Sequence, residues 1–131
     1  MARARRPPPL SSAPDPRRAV GAAGEASAAQ WYAAGGYEVL ARNWRCRDGE
    51  LDLVVAGPDV VVFCEVKTRR GDAFGVPAEA VTPAKQRRIR GLAARWLAEH
   101  RVHAPTVRFD VAAVRVQRDG AVDVDVITDA F

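Results

Sequence analysis

Apolar residues at Ile89, Leu92, Ala93, Trp96 and Leu97 recur at spacings of three and four, the stripe of an amphipathic helix. Thr82 just ahead supplies a capping hydroxyl and Pro83 a preset first turn, so the helix is expected to begin there. Lys85 lies on the stripe one turn before Ile89 and is placed to lean inward, while Arg87, Arg88, Arg90 and Arg95 cover the flanks and outer face. An earlier helix is expected over Gly21–Ala34, Ala-rich and stopped by Gly35-Gly36. Its buried face would hold Ala28, Ala29 and Tyr32. Glu25 falls on that same face, either for chemistry or as a first-turn acid favoured by the helix dipole.

Between the helices the period drops to two. β-branched residues dominate Glu50–Ala56 and Val60–Thr68, and Gly57-Pro58-Asp59 punctuates them, which predicts a hairpin. Side chains alternate across a strand, so Glu50, Asp52 and Val54 are expected on one face, and Val61, Phe63, Glu65 and Lys67 on one face of the partner strand. Tyr37–Arg45 reads as a preceding strand with Asp48-Gly49 as its turn. Thr106–Gln117 and Ala121–Ile127 form a last pair joined at Arg118-Asp119-Gly120, with Asp123 and Asp125 facing outward on an edge. Arg69–Val81 has no period and is expected as a loop at the mouth of any site the strands carry. The order α-β-β-β-α-β-β makes an α/β protein, a mixed sheet with helices against it.

Composition changes this picture little: 131 residues, 48% apolar and 27% charged, suit one core. Charge changes it more. Five arginines against one acid in residues 1–18 account for the whole net +4. That stretch also holds five of the nine prolines and is expected to be a disordered basic tail. Residues 67–95 carry eight basic side chains against Asp72 and Glu79. A basic segment following acidic strands suits a phosphodiester ligand, and on charge alone it reads equally well as a solvated helix face. No apolar run approaches the ~20 residues that span a bilayer, and no signal-type apolar stretch follows the basic start. Cys46 and Cys64 lack metal or disulfide spacing. The expectation is a soluble cytoplasmic protein that engages no membrane.

Two carboxylates and an ammonium on faces that also carry core residues are the main chemical signal, because a buried charge without a partner is costly. Asp52 and Glu65 on neighbouring strands can hold a hard divalent cation, Mg²⁺ or Mn²⁺. The Val66 backbone carbonyl is a third ligand, and Glu50 is within reach of a second ion. Lys67, two residues from Glu65, could orient an attacking hydroxide or offset charge developing at phosphorus. Arg69, Arg70, Lys85, Arg87 and Arg88 would meet the nucleic-acid backbone. Against this stands a structural Glu65–Lys67 ion pair. The alternatives in function are a non-catalytic nucleic-acid-binding module with a vestigial site, and a protein-interaction domain whose Arg-rich helix meets an acidic partner. His100 and His103 sit at a helix end where a cation suits the dipole, with no catalytic partner evident.

These pieces also resemble a known family. Gly49-Glu50-Leu51-Asp52-Leu53-Val54 followed by Phe63-Cys64-Glu65-Val66-Lys67-Thr68-Arg69 is similar to the PD-(D/E)xK nuclease signature, with Leu51 where that signature has proline. Over residues 21–116 the chain more closely resembles the YraN family of bacterial proteins, assigned to the restriction-endonuclease-like fold. Besides the two strand motifs, the matching residues are Gly24-Glu25, Gly36-Tyr37, Asn43, Phe74-Gly75, Lys85 and Arg108-Phe109-Asp110-Val111. The resemblance implies one nuclease-like domain over residues 19–131, a restriction-endonuclease-like mixed β-sheet flanked by helices, and Asp52, Glu65 and Lys67 as a catalytic triad. It further implies that Glu25 is the helix carboxylate of similar Holliday-junction resolvases. The expected function is that of a metal-dependent nucleic-acid phosphodiesterase, an endonuclease of DNA repair or recombination, acting on DNA sooner than RNA. A homodimer would suit the cutting of two strands, although no interface pattern stands out.

Overall fold

Thr82 opens its helix as the sequence predicts: its Oγ1 accepts the Lys85 N–H at 3.2 Å, with Pro83 in the first turn. The computed structural model describes residues 16–71 and 81–131, with side chains from residue 21 onward. Most of the tail expected over residues 1–18, and most of the loop expected over Arg69–Val81, including Phe74-Gly75, lie outside the described residues; residues 16–18 are helical and Arg69-Arg70 extend a strand, against those expectations. The first helix, α1, spans Pro16–Ala34, so it begins five residues earlier than expected and takes in Arg17 and Arg18. Pro16 suits a first helical position, and nothing between it and Gly21 breaks a helix.

Strands β1 (Glu38–Cys46), β2 (Gly49–Gly57) and β3 (Val60–Arg70) follow as antiparallel neighbours. The turn between β1 and β2 is Arg47-Asp48, one residue earlier than expected, and Gly49 already pairs with Cys46. Helix α2 (Pro83–His100) then carries the chain across the sheet, the long connection a parallel neighbour demands. Strand β4 (Thr106–Val116) returns parallel to β3, and β5 (Val122–Ile127) pairs antiparallel at the edge. The sheet order is β1-β2-β3-β4-β5.

One face of the sheet packs Leu51, Val54, Phe63 and Val111 under Ile89, Leu92, Ala93 and Trp96 of α2. The other packs Leu53, Val55, Val62, Cys64 and Val114 under Ala28, Ala29 and Tyr32 of α1. Strand β3 is covered on both faces, which is why Val60–Cys64 reads as an unbroken apolar run. Asp110, fully buried in β4, joins the layers. Its carboxylate takes two hydrogen bonds from the Arg108 guanidinium, both at 2.9 Å, one from the Tyr32 hydroxyl at 2.6 Å and one from the Asp129 N–H at 2.9 Å.

Helix α1 lies so close to β3 that a Cβ at Gly24 would overlap the Thr68 hydroxyl and come within 2.9 Å of Thr68 Cβ. Thr68 is short and β-branched, so it has little room to yield. Gly24→Ala is therefore expected to cost about 1–3 kcal/mol of stability. A urea melt would read this as a lowered midpoint, partly restored by adding Thr68→Ala. An unchanged midpoint would show that the helix rides free of the strand. The close approach also fixes where the next residue, Glu25, sits.

Candidate functional site

The β2–β3 ladder runs from Gly57↔Val60 to Leu53↔Cys64 and stops there. Beyond that pair the strands separate, and the Asp52 side chain occupies the seam. Its Oδ2 accepts the Val66 N–H at 2.9 Å, standing in for a strand partner. The amide and carbonyl of a strand residue point to the same side, so the Val66 carbonyl also faces the seam. Carboxylate oxygens of Glu25, Glu50 and Asp52 lie within 4.8 Å of one another, bringing α1 and β2 together at this point. Glu50 is also bridged across the hairpin to Arg45 at 2.9 Å.

Glu65 is buried on the α2 side of β3. Its Oε1 meets the Lys85 ammonium at 2.6 Å and the Lys67 ammonium at 3.7 Å. The cap at Thr82 makes this possible, since it sets Lys85 in the first turn of α2, within reach of Glu65 on β3. Lys85, expected as a backbone-contacting residue, is thus tied to Glu65. Among the described basic residues, Arg69, Arg70, Arg87 and Arg88 are exposed.

The expectation that Glu50, Asp52 and Val54 share a face does not hold. Val54 lies in the α2 layer, Glu50 reaches Glu25 on the α1 side, and Asp52 lies between them along the seam. Strict alternation assumes an unbroken ladder, and this one turns over where the strands part. The sequence reading also missed the close approach at Gly24 and the Lys85–Glu65 pair. A glycine beside Glu25 in an otherwise Ala-rich helix was the available signal for the first.

Electrostatics follow from crowding. Burial and the neighbouring Glu65 carboxylate push Asp52 up to about 7; the Val66 amide opposes this and Glu25 adds to it. Burial, and then the Lys85 ammonium alongside, hold Lys67 below the usual lysine value. Burial works hardest against the charge of Lys85, but its hydrogen bond to Glu65, the neighbouring Lys67 and the charges of Glu65 and Asp52 together outweigh that and leave its pKa raised. Burial pushes the Cys64 thiol up to about 12, so it is no nucleophile at neutral pH. Oxygen donors from Glu25, Glu50 and Asp52, with the Val66 carbonyl and Glu65 beside them, could hold a small divalent cation, whose charge would offset the repulsion among them.

A pH effect follows. Asp52 favours its proton more in the fold than in the unfolded chain, where its ordinary value is near 3.8. The metal-free protein is therefore expected to lose stability as pH rises from about 4 through about 7, by on the order of 4 kcal/mol. Urea midpoints measured in chelator across that range should fall in the wild type and stay flatter in Asp52→Asn. Parallel curves would show that Asp52 titrates normally.

Fold and site together define the class: a five-stranded mixed α/β sheet between two helices, consistent with the restriction-endonuclease-like fold. The model of the uncharacterised protein family UPF0102 matches residues 24–114. A UPF0102 protein of Beutenbergia cavernae is 58% identical over 107 residues, covering 82% of this chain and 91% of its own length. One from Frankia casuarinae is 56% identical over 113 residues, with 86% and 96% covered. One from Symbiobacterium thermophilum is 49% identical over 114 residues, with 87% and 97% covered. The chain belongs to the UPF0102 family, the YraN-like proteins. No helix among the described residues is long and apolar enough to cross a membrane.

Proposed function

We propose that the chain is a divalent-metal-dependent nucleic-acid phosphodiesterase, a cytoplasmic endonuclease acting on DNA in repair or recombination. The observation that carries this is the cluster of Glu25, Glu50 and Asp52 carboxylates where β2 and β3 separate, with Glu65 next to Asp52 and the Lys67 ammonium 3.7 Å from Glu65. Asp52, Glu65 and the Val66 carbonyl would hold Mg²⁺ or Mn²⁺, with Glu25 and Glu50 beside them. The bound ion would supply an acidified water and charge stabilisation at phosphorus. Lys85 holds the Glu65 carboxylate in place. Lys67, with its proton less tightly held than usual, sits where it could orient the attacking oxygen or release a proton. Arg69, Arg70, Arg87 and Arg88 would grip phosphates, which sets register without reading sequence.

The test is a panel of duplex, flap, junction and RNA substrates incubated with the full chain in Mg²⁺ or Mn²⁺. Cleavage of a DNA substrate that chelator abolishes is expected. Absence of cleavage across the panel, or cleavage indifferent to chelator, would reject the proposal. The Lys85–Glu65 contact at 2.6 Å favours one second reading, a binding module in which that pair is structural. Binding would then be insensitive to chelator and yield no product, with log K falling by ~0.9 per log unit of salt for each phosphate neutralised.

A further inference from the structure

The β1–β2 ladder turns over at a single level. Arg42 pairs with Leu53, which lies in the α1 layer, whereas Trp44 pairs with Leu51 and both lie against the α2 layer. Residues two apart on a strand ordinarily share a face. Here both strands change face between those two pairs, at the level of Asn43 and Asp52. Asn43 has φ 52°, the left-handed region in which Asn is among the few tolerated residues besides Gly. Its side chain is exposed and makes no hydrogen bond among the described residues. What Asn43 contributes is therefore its backbone. Asp52, opposite it, points along the sheet to the Val66 N–H instead of into either layer.

We infer that Asn43 is a positioning residue for Asp52: its left-handed backbone turns the hairpin over and so presents the Asp52 carboxylate in the seam between β2 and β3. Why that carboxylate is needed in the seam rests on the proposed phosphodiesterase site, but the geometry can be tested without it. A β-branched residue is an outlier at positive φ, Ala is disfavoured there, and Gly adopts it freely. Forcing the residue back to an extended conformation would swing Asp52 out of the seam and release the Val66 amide.

Full-length Asn43→Gly, Asn43→Ala and Asn43→Val chains should be compared by amide hydrogen exchange and by Mn²⁺ titration calorimetry. Asn43→Gly is expected to keep the wild-type Val66 exchange rate within about twofold, and Asn43→Ala to speed it by about tenfold, with Asn43→Val worse. Mn²⁺ affinity should fall in the same order, while the Val62 amide in the core stays protected. If Asn43→Val does not fold, Asn43→Ala carries the comparison. Equal Val66 protection in the Gly and Ala variants would overturn the inference. So would a loss in Asn43→Gly as large as in Asn43→Ala, which would assign the role to the amide side chain. A wild type that takes up no Mn²⁺ would overturn the metal-site reading instead, and Val66 exchange would still decide the role of Asn43.

Discussion

Glu65→Gln is expected to leave a folded chain whose metal-dependent cleavage falls by ~10³-fold or more, and Lys67→Ala should match it. The substitution keeps the shape of Glu65 and an oxygen for Lys85 but removes the charge both ammonium groups approach. Folding survives because Lys67 and Lys85 are 28% and 34% exposed and reach water on their own. Partly exposed ion pairs of this kind are worth about 1 kcal/mol or less, small against a domain's total stability. Rates on the best DNA substrate, with circular dichroism to check folding, would test this. Full turnover in a folded Glu65→Gln chain would remove Glu65 from the chemistry.

Asp110→Ala is expected to do the opposite, unfolding much of the population through a residue given no part in the proposed chemistry. Its carboxylate is fully buried and receives four hydrogen bonds, from Arg108 twice, Tyr32 and Asp129. Arg108 is partly exposed and can turn outward, but the Tyr32 hydroxyl is buried and would be left without its acceptor. Breaking such an arrangement by removing one partner costs about 3–5 kcal/mol, comparable to the whole stability of a marginal domain. Tyr32→Phe, which removes one donor and leaves the Arg108 pair intact, should cost only about 1 kcal/mol. Urea titration of the three chains would read both values. An Asp110→Ala cost close to that of Tyr32→Phe would mean that the pair with Arg108 contributes little.

The sequence made the element order, the α2 stripe with its cap and the β2–β3 hairpin legible, because each depends on local period and turn chemistry. It brought Asp52, Glu65 and Lys67 to one region for the same reason, whereas Glu25 joined them only through the family resemblance. It failed where a contact depends on another element's position. The period-two rule put Asp52 on the face of Val54 because nothing local reveals that the ladder stops at Leu53–Cys64. Lys85 was seen to lean inward, yet its partner lay on a strand whose distance from the helix no pattern encodes. Asp110 was noted only within a family resemblance. A carboxylate among apolar strand residues marks the acid between Phe109 and Val111 as surely as it marks Asp52 and Glu65. Such a mark would have found the buried joint but not told it apart from a catalytic one.

Strand β3 carries Cys64 toward α1 and Glu65 toward α2. Slipping it by a single position would drive Glu65 and Lys67 among Ala28, Ala29 and Tyr32 while turning Val62 and Cys64 toward Lys85. Helix α1 could not close over such a sheet, because its layer would trap bare charge. The fold thus acts as its own inspector: a molecule that has compacted has, by that fact, already aligned the residues it would need for work.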